Sequence, residues 1–341
     1  MTRRYTEAGV DLAGADEAKA RIGELVAGTR TALSVGEVGA FGGMVRVPAG
    51  LRRPTLVLST DGVGTKVLVA LQARRYDTVG EDLVNHSVND ILVHGATPIA
   101  FMDYIAGSGL GVGEIAGLVE GIARGCQAHG MALAGGETAQ MPGLYQPGTY
   151  DLAGTIIGVV DEDSALHGDR IAPGDVLLAY ASTGLHTNGY TLARSIVFEQ
   201  MGLGLDDALG DTGATVAEAL LAVHRSYFRS VMPVISRVHG LAHITGGGIP
   251  GNLVRILPSG CEAVVDPDAW DLPPLFATLQ QAGQVTTEEM RDVFNLGVGL
   301  IAVLPPGAVP AVQDAAAADG VTTWPVGEIR RGDRAVRFAR P

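Results

Sequence analysis

Cysteine is scarce: only Cys126 and Cys261 occur in 341 residues, far apart, and His129 is the one potential ligand close to either. A disulfide scaffold and a structural zinc site are therefore not indicated, and reduced thiols in a cytoplasm fit best. Basic runs are missing too. Lys+Arg number 24 against Asp+Glu 37, a formal net charge of −13, which argues against a nucleic-acid or anionic-membrane surface. No uninterrupted apolar run reaches membrane-spanning length, and the opening Met1-Thr2-Arg3-Arg4-Tyr5-Thr6-Glu7 lacks the apolar core of a signal peptide. A soluble, cytoplasmic protein is expected. Two nucleotide motifs are absent as well. Gly64-Thr65-Lys66 has no glycine five positions before its own, so it is not a Walker A loop, and Gly62 and Gly64 lack the third glycine of a dinucleotide-binding turn.

What is abundant is apolar residues and glycine. A hydrophobic content of 47% with 18% charged residues suffices for packed cores, and the length suggests two domains. The 48 glycines fall in clusters beside polar residues, where the backbone can approach a ligand or take positive φ. The chain reads as organised around Leu56-Val57-Leu58-Ser59-Thr60-Asp61-Gly62-Val63-Gly64-Thr65-Lys66. An apolar strand there runs into a loop on which Asp61 and Lys66 are both expected to reach one polyanion. Because the average surface is acidic, positive charge at a phosphate site must come from single lysines, oriented N–H groups or a divalent cation.

The same pattern recurs along the chain. A helix is expected over residues 16–33, with Ala18, Ile22, Leu25, Val26 and Thr29 on one face, and the glycine-rich segment 36–43 reads as a turn or a lid over a nucleotide. Residues 79–94 carry an apolar stripe that places Asn89 and Asp90 on the opposite helix face, a plausible metal station; His86 and His94 read as ordinary polar or core-edge residues. A helix over 114–129 makes Cys126 a core residue, and the short strand 131–134 ends in Gly135-Gly136-Glu137-Thr138-Ala139. Composition turns polar near residue 168, which sets the expected domains at 1–168 and 169–341. In the second half a core strand runs into Ser182-Thr183-Gly184-Leu185-His186-Thr187-Asn188-Gly189-Tyr190, residues 216–238 look helical with a break at Pro233, and His243-Ile244-Thr245-Gly246-Gly247-Gly248 is the densest glycine cluster. Trp270 and Trp324 read as packing residues. Asp61, Asp90 and Glu137 with an Asn oxygen suit Mg²⁺, whereas few histidines and no thiols in the clusters disfavour zinc or iron. Phosphoryl chemistry follows, since positioning and charge neutralisation do most of its work.

Taken in order, Ser59-Thr60-Asp61-Gly62-Val63-Gly64-Thr65-Lys66, Val88-Asn89-Asp90-Ile91, Gly135-Gly136-Glu137-Thr138-Ala139, His186-Thr187-Asn188-Gly189-Tyr190 and the Gly246 cluster resemble the phosphoribosylformylglycinamidine cyclo-ligase (aminoimidazole ribonucleotide synthetase) family. The likeness runs from the Tyr-x-x-Ala-Gly-Val of residues 5–10 to Phe294-Asn295-Leu296-Gly297-Val298-Gly299. The resemblance implies an α/β (α+β) fold of two domains. The first carries ATP and metal and pairs its strands with a second subunit into a barrel across a homodimer. The second is a mixed-sheet domain on the substrate side, and the site lies in the cleft between them. It also implies ATP-dependent cyclisation of formylglycinamidine ribonucleotide to 5-aminoimidazole ribonucleotide, with ADP and phosphate released. The formyl oxygen is phosphorylated, an amidine nitrogen attacks that carbon, and phosphate leaves. By position, Asp61, Asn89, Asp90 and Glu137 are expected around Mg²⁺. Gly62, Gly64, Thr65, Lys66, Gly135, Gly136, Asn188, Gly246 and Gly247 join Asp61, Asn89 and Glu137 at ATP and its phosphates. Lys66, His186 and His243 are the catalytic candidates.

Three departures limit the transfer: Gln140 stands where the family has Glu, His94 where it commonly has Gln, and the segment before Asp103-Tyr104 is less aromatic. Kinases and synthetases for thiamine phosphate, selenide or hydrogenase maturation share the acidic loop. A selenide enzyme would want a reactive Cys in residues 36–43 and a hydrogenase-maturation protein a C-terminal Cys, and neither is present. Thiamine phosphate kinases lack the pairing of His-Thr-Asn-Gly-Tyr with Gly-Gly-Gly. A non-catalytic nucleotide sensor would show damaged site residues, yet Asp61, Lys66, Asp90, Glu137 and His243 are intact.

Overall fold

The computed structural model of the chain describes residues 12–37, 39 and 41–339; the motif at residues 5–10 and two positions of the 36–43 segment lie outside them. Two compact units emerge, one of the described residues up to Ile91 with Thr97–Asp163, the other of Leu92–Ala96 with the described residues from Ser164 on. No helix among the described residues is long and apolar enough to cross a membrane.

The first unit begins with helix α1 (Leu12–Gly28), shorter at its C-terminus than the spacing predicts. Thr29 explains the stop: its hydroxyl donates to the Val26 carbonyl at 2.8 Å and accepts the Leu133 N–H at 2.9 Å, tying the helix end to a strand. A two-residue pairing of Ser34–Val35 with Met44–Val45 follows. Strand β1 (Pro54–Gly62), helices α2 (Lys66–Ala73) and α3 (Asp77–Leu92), strand β2 (Thr97–Gly107), helix α4 (Val112–Ala128) and strands β3 (Ala132–Gln140) and β4 (Tyr150–Asp161) complete it. The sheet order is β1-β4-β2-β3, with only β2 and β3 parallel.

Helices α3 and α4 bury Val79, Leu83, Val84, Val88, Leu118, Val119 and Ile122. They cross backbone to backbone: a Cβ on Gly80 would lie 2.2 Å from the Leu118 carbonyl oxygen, and one on Gly121 1.9 Å from that of Asp77. Alternation along β1 and β2 leaves Leu56, Leu58, Met102 and Tyr104 exposed, while Ser59 and Asp61 point the other way, towards α3.

The second unit is built on a six-stranded mixed sheet. Its strands are β5 (Val176–Ala181), β6 (Gly240–His243), β7 (Cys261–Val265), β8 (Val298–Leu304), β9 (Thr323–Arg331) and β10 (Ala335–Phe338). They run in the order β10-β7-β9-β5-β8-β6, antiparallel except for β10 with β7. Along β5, Leu177 and Ala179 feed one apolar cluster while Leu178 and Tyr180 feed another, so both sheet faces are covered. Trp270 and Trp324 pack against the first, as packing residues should.

Three expectations are corrected. Asp61 and Gly62 belong to strand β1, and the Gly135–Glu137 stretch to β3, so neither is a loop. Residues 216–238 are not one interrupted helix. Short helices Val216–Leu220 and Phe228–Val231 flank an irregular stretch, and a 3₁₀ segment follows. Tertiary donors break the ladder: Tyr190 Oη takes the Leu220 carbonyl at 2.6 Å and Thr183 Oγ1 that of Val223 at 2.5 Å. The freed segment turns Leu221, His224 and Tyr227 inward instead.

Candidate active site

In the first unit two carboxylates converge on one imidazole. His86 Nε2 lies 2.8 Å from Asp61 Oδ2 and 3.5 Å from Asp90 Oδ2. Ser59 Oγ donates to Asp90 at 3.1 Å, and the Gly62 N–H donates to Asp61 Oδ1 at 2.7 Å. Burial pushes the Asp61 carboxyl up, but the His86 hydrogen bond and charge with the Gly62 N–H outweigh it and hold it below the usual carboxylate range, against repulsion from Asp90. Burial pulls the His86 imidazole down, and the Asp61 and Asp90 carboxylates overcome that and raise it. One ligand atom from each of Asp61, His86 and Asp90 fits within 4.8 Å of the others.

The two carboxylates of this set, not the imidazole, suit a hard cation. Asp61 remains half exposed, and a carboxylate oxygen holding one protein donor keeps a second lone pair for a metal that also bridges phosphates. The signal for His86 lies in the spacing: Asp82, His86 and Asp90 follow at intervals of four along one row of α3.

Other expected residues are placed differently. Lys66 opens α2 and is fully buried, its Nζ 2.7 Å from the equally buried Asp82 Oδ2. The sequence places Lys66 with Asp61 on one loop facing a polyanion; in the structure its ammonium is buried against Asp82. Burial pulls that ammonium down, and Asp82 opposes the shift. Gly64 makes the turn with φ +55°, and Thr65 precedes the helix. Asn89 is fully buried on α3.

Glu137 is exposed on β3, at the opposite sheet edge from Asp61 on β1. Three interstrand steps make about 14 Å, so within one chain the two carboxylates cannot share an ion. Gly136 has a local reason: its Cβ would meet Asp103 Oδ1 at 2.0 Å, so glycine leaves room for that carboxyl. Gln140 is structural, accepting the Gly109 N–H and donating to the Leu110 carbonyl, both at 3.2 Å. His94 Nδ1 lies 3.4 Å from the Leu166 carbonyl.

In the second unit the glycine clusters gather imidazoles. His186 adopts φ +62°, a conformation uncommon for a residue with a side chain. Its Nε2 accepts the Thr183 N–H at 3.2 Å, and its ring stacks on His224 at 3.9 Å and 22°. His224 Nε2 in turn lies 3.1 Å from His243 Nε2. All three rings are buried, and bare Gly299 makes the space, since a Cβ there would sit 2.0 Å from Tyr227 Oη and 2.6 Å from His186 Cε1. Asn188 approaches Gly246, whose Cβ would lie 3.3 Å from its Oδ1. The triple-glycine loop is locked by Asn252, whose Nδ2 reaches the carbonyls of Thr245, Gly246 and Gly248 at 3.3, 3.2 and 2.8 Å. Gly247 takes φ +91° there. A cavity of about 320 Å³ opens beside Ser182, Thr183, Gly184, Pro274, Phe276 and Gly297. Sequence reasoning found His186 and His243 but not His224, which sits in the stretch expected to be plain helix.

Comparison with known proteins finds relatives over nearly the whole chain. Residues 39–160 match "AIR synthase related protein, N-terminal domain" and residues 172–339 its C-terminal counterpart. A phosphoribosylformylglycinamidine cyclo-ligase of Sorangium cellulosum is 46% identical over 333 residues, covering 96% of each chain. One from Thermosynechococcus vestitus is 45% identical over 331 residues, again covering 96% of each. Among solved structures, thiamine-monophosphate kinase from Stenotrophomonas maltophilia shares the fold with a TM-score of 0.69 at 18% identity, covering 95% of this chain and 94% of that one. A hydrogenase maturation protein of E. coli does so at 0.65 and 16%, covering 94% and 92%. On this evidence the chain belongs to the phosphoribosylformylglycinamidine cyclo-ligase family.

Proposed function

We propose that the two polar clusters divide the work of an ATP-dependent ring closure, the conversion of formylglycinamidine ribonucleotide to 5-aminoimidazole ribonucleotide with release of ADP and phosphate. The observation that carries the assignment of the ATP side is the convergence of Asp61 and Asp90 on His86. Asp61 and Asp90 would hold Mg²⁺, which neutralises triphosphate charge when bound. His86 keeps the Asp61 carboxylate ionised and oriented. Asn89 supports this helix face from within, and Gly64 and Thr65 bring backbone close to the phosphates. Lys66 acts through Asp82, fixing α2 against α3.

The histidines of the second unit serve the substrate side. A phosphorylated formyl oxygen makes phosphate the leaving group, and the attacking amidine nitrogen must shed a proton as the ring closes. His186 and His243 would hydrogen-bond the reacting group or its phosphate as the proton is lost, with Asn188, Gly246 and Gly247 placing the phosphate or ribose. Glu137 with Gly135 and Gly136 forms a separate polar station, and the 36–43 segment serves as lid. Exposed Leu56, Leu58, Met102 and Tyr104 on one sheet face support a homodimer joined there. Two buried free cysteines fit a reducing cytoplasm.

ADP release measured against a panel of acceptors tests the assignment. Turnover should depend on formylglycinamidine ribonucleotide and on Mg²⁺, and Asp61→Asn should abolish it with the fold intact. ADP formed only with another acceptor, or undiminished turnover in Asp61→Asn, refutes it.

A further inference from the structure

His224 is the unassigned member of the imidazole cluster. It comes from the irregular stretch between the helices Val216–Leu220 and Phe228–Val231, and its ring is fully buried. Its two nitrogens face different partners: Nδ1 lies 3.3 Å from Thr187 Oγ1, and Nε2 lies 3.1 Å from His243 Nε2. A nitrogen–nitrogen contact of that length between neutral imidazoles needs one donor and one acceptor. Of two neutral rings in that contact, one carries its proton on Nε2 and the other accepts there.

We propose that His224 is a positioning residue that fixes the tautomer of His243. Thr187 Oγ1 receives the Asn188 amide at 3.5 Å, and a hydroxyl accepting on one side is polarised to donate on the other. Its proton goes to His224 Nδ1. The His224 proton then sits on Nε2 and is donated to His243 Nε2, so His243 carries its own proton on Nδ1. Stacking on His186 holds the His224 plane in the orientation the contact needs. A histidine exposed to water favours the opposite form, Nε2–H, so the cluster imposes a state that the residue would not otherwise keep. The proposal rests on the reading of His243 as a substrate-side group, and it leaves that group a defined Nδ1–H donor before substrate arrives, its acceptor nitrogen being held by His224.

Ring nitrogen NMR on ¹⁵N-histidine-labelled full-length protein without ligand reads the tautomer directly, with His243 assigned from the signal lost in His243→Gln. The wild type should show His243 protonated at Nδ1. His224→Ala should shift it to Nε2 and lower kcat by roughly 10- to 100-fold, leaving KM for formylglycinamidine ribonucleotide nearly unchanged. His224→Gln, whose amide can still donate to His243 Nε2, should keep the tautomer and recover most of the turnover. It also guards against a folding defect in the alanine variant. An Nε2–H form in the wild type, a tautomer unmoved in His224→Ala, or a shifted tautomer with unchanged kcat overturns the proposal. Full turnover in His243→Ala instead refutes the reading of His243, while the ¹⁵N result still stands or falls alone.

Discussion

Asp103 offers a sharp test of how the first unit tolerates a misplaced charge. It sits on β2 opposite Gly136 of β3, and burial pushes its carboxyl from 3.8 up to about 7, countered only by its own backbone N–H. The residue as a whole is intermediate in exposure, but the carboxyl lies over Gly136 on the side of buried Cys126, whose thiol it raises further. A raised carboxyl pKa means the folded state binds a proton that the unfolded chain has already lost. Stability therefore declines as pH climbs from about 4, and the loss is complete above the folded value. A shift of that size corresponds to about 4 kcal/mol as an upper figure, since relaxation and water entry reduce it. Asp103→Asn keeps the shape and removes the charge. Its advantage over wild type should be near zero at pH 4 and grow to as much as 4 kcal/mol at pH 8, about 8–16 °C in the melting temperature of a unit this size. Thermal melts of both proteins at pH 4, 6 and 8 measure it. A melting difference that is the same at all three values refutes the reasoning, because a solvated carboxylate would give no such growth. A variant that gains stability but loses turnover would show that the buried charge is retained for function.

Other substitutions separate structural from chemical roles. Lys66→Met leaves Asp82 buried without its cation, which should destabilise the fold by roughly 3–5 kcal/mol; unchanged stability in denaturant with a raised KM for ATP would instead put Lys66 on phosphate. Gly299→Ala forces a methyl against Tyr227 Oη and His186 Cε1 at 2.0 and 2.6 Å, so a loss of about 1–3 kcal/mol and a clear fall in kcat are expected, and wild-type kinetics would contradict the packing. Leu58→Glu places a charge on the exposed apolar sheet face and should convert a dimer to monomers in light scattering, whereas a variant that still dimerises would move the interface elsewhere.

Much of the fold was legible because periodicity is local. The apolar stripes of α3 and α4, with Cys126 in the core, follow from spacing. The site was legible only as a list of stations. Glycine-rich stretches pointed to the right residue types, yet the geometry that distinguishes them is set at long range. Lys66 read as a phosphate ligand because its local company is glycine and threonine, and nothing nearby in sequence announces that Asp82 on the next helix holds it.

The same limit separates Asp61 from Glu137. Both end apolar runs beside glycines, so sequence treats them alike, but strand order places them on opposite edges of one sheet. Strand order is a long-range property of the sheet that no local run of residues announces. What replaces Glu137 beside Asp61 is His86, delivered by α3, and what completes His243 is His224, delivered by a helix that tertiary donors have broken. In both units a carboxylate or imidazole visible in a motif gains its protonation state from a histidine that carries no motif. Motifs name the groups that meet the ligand; the packing of the remaining chain decides which proton each of them holds.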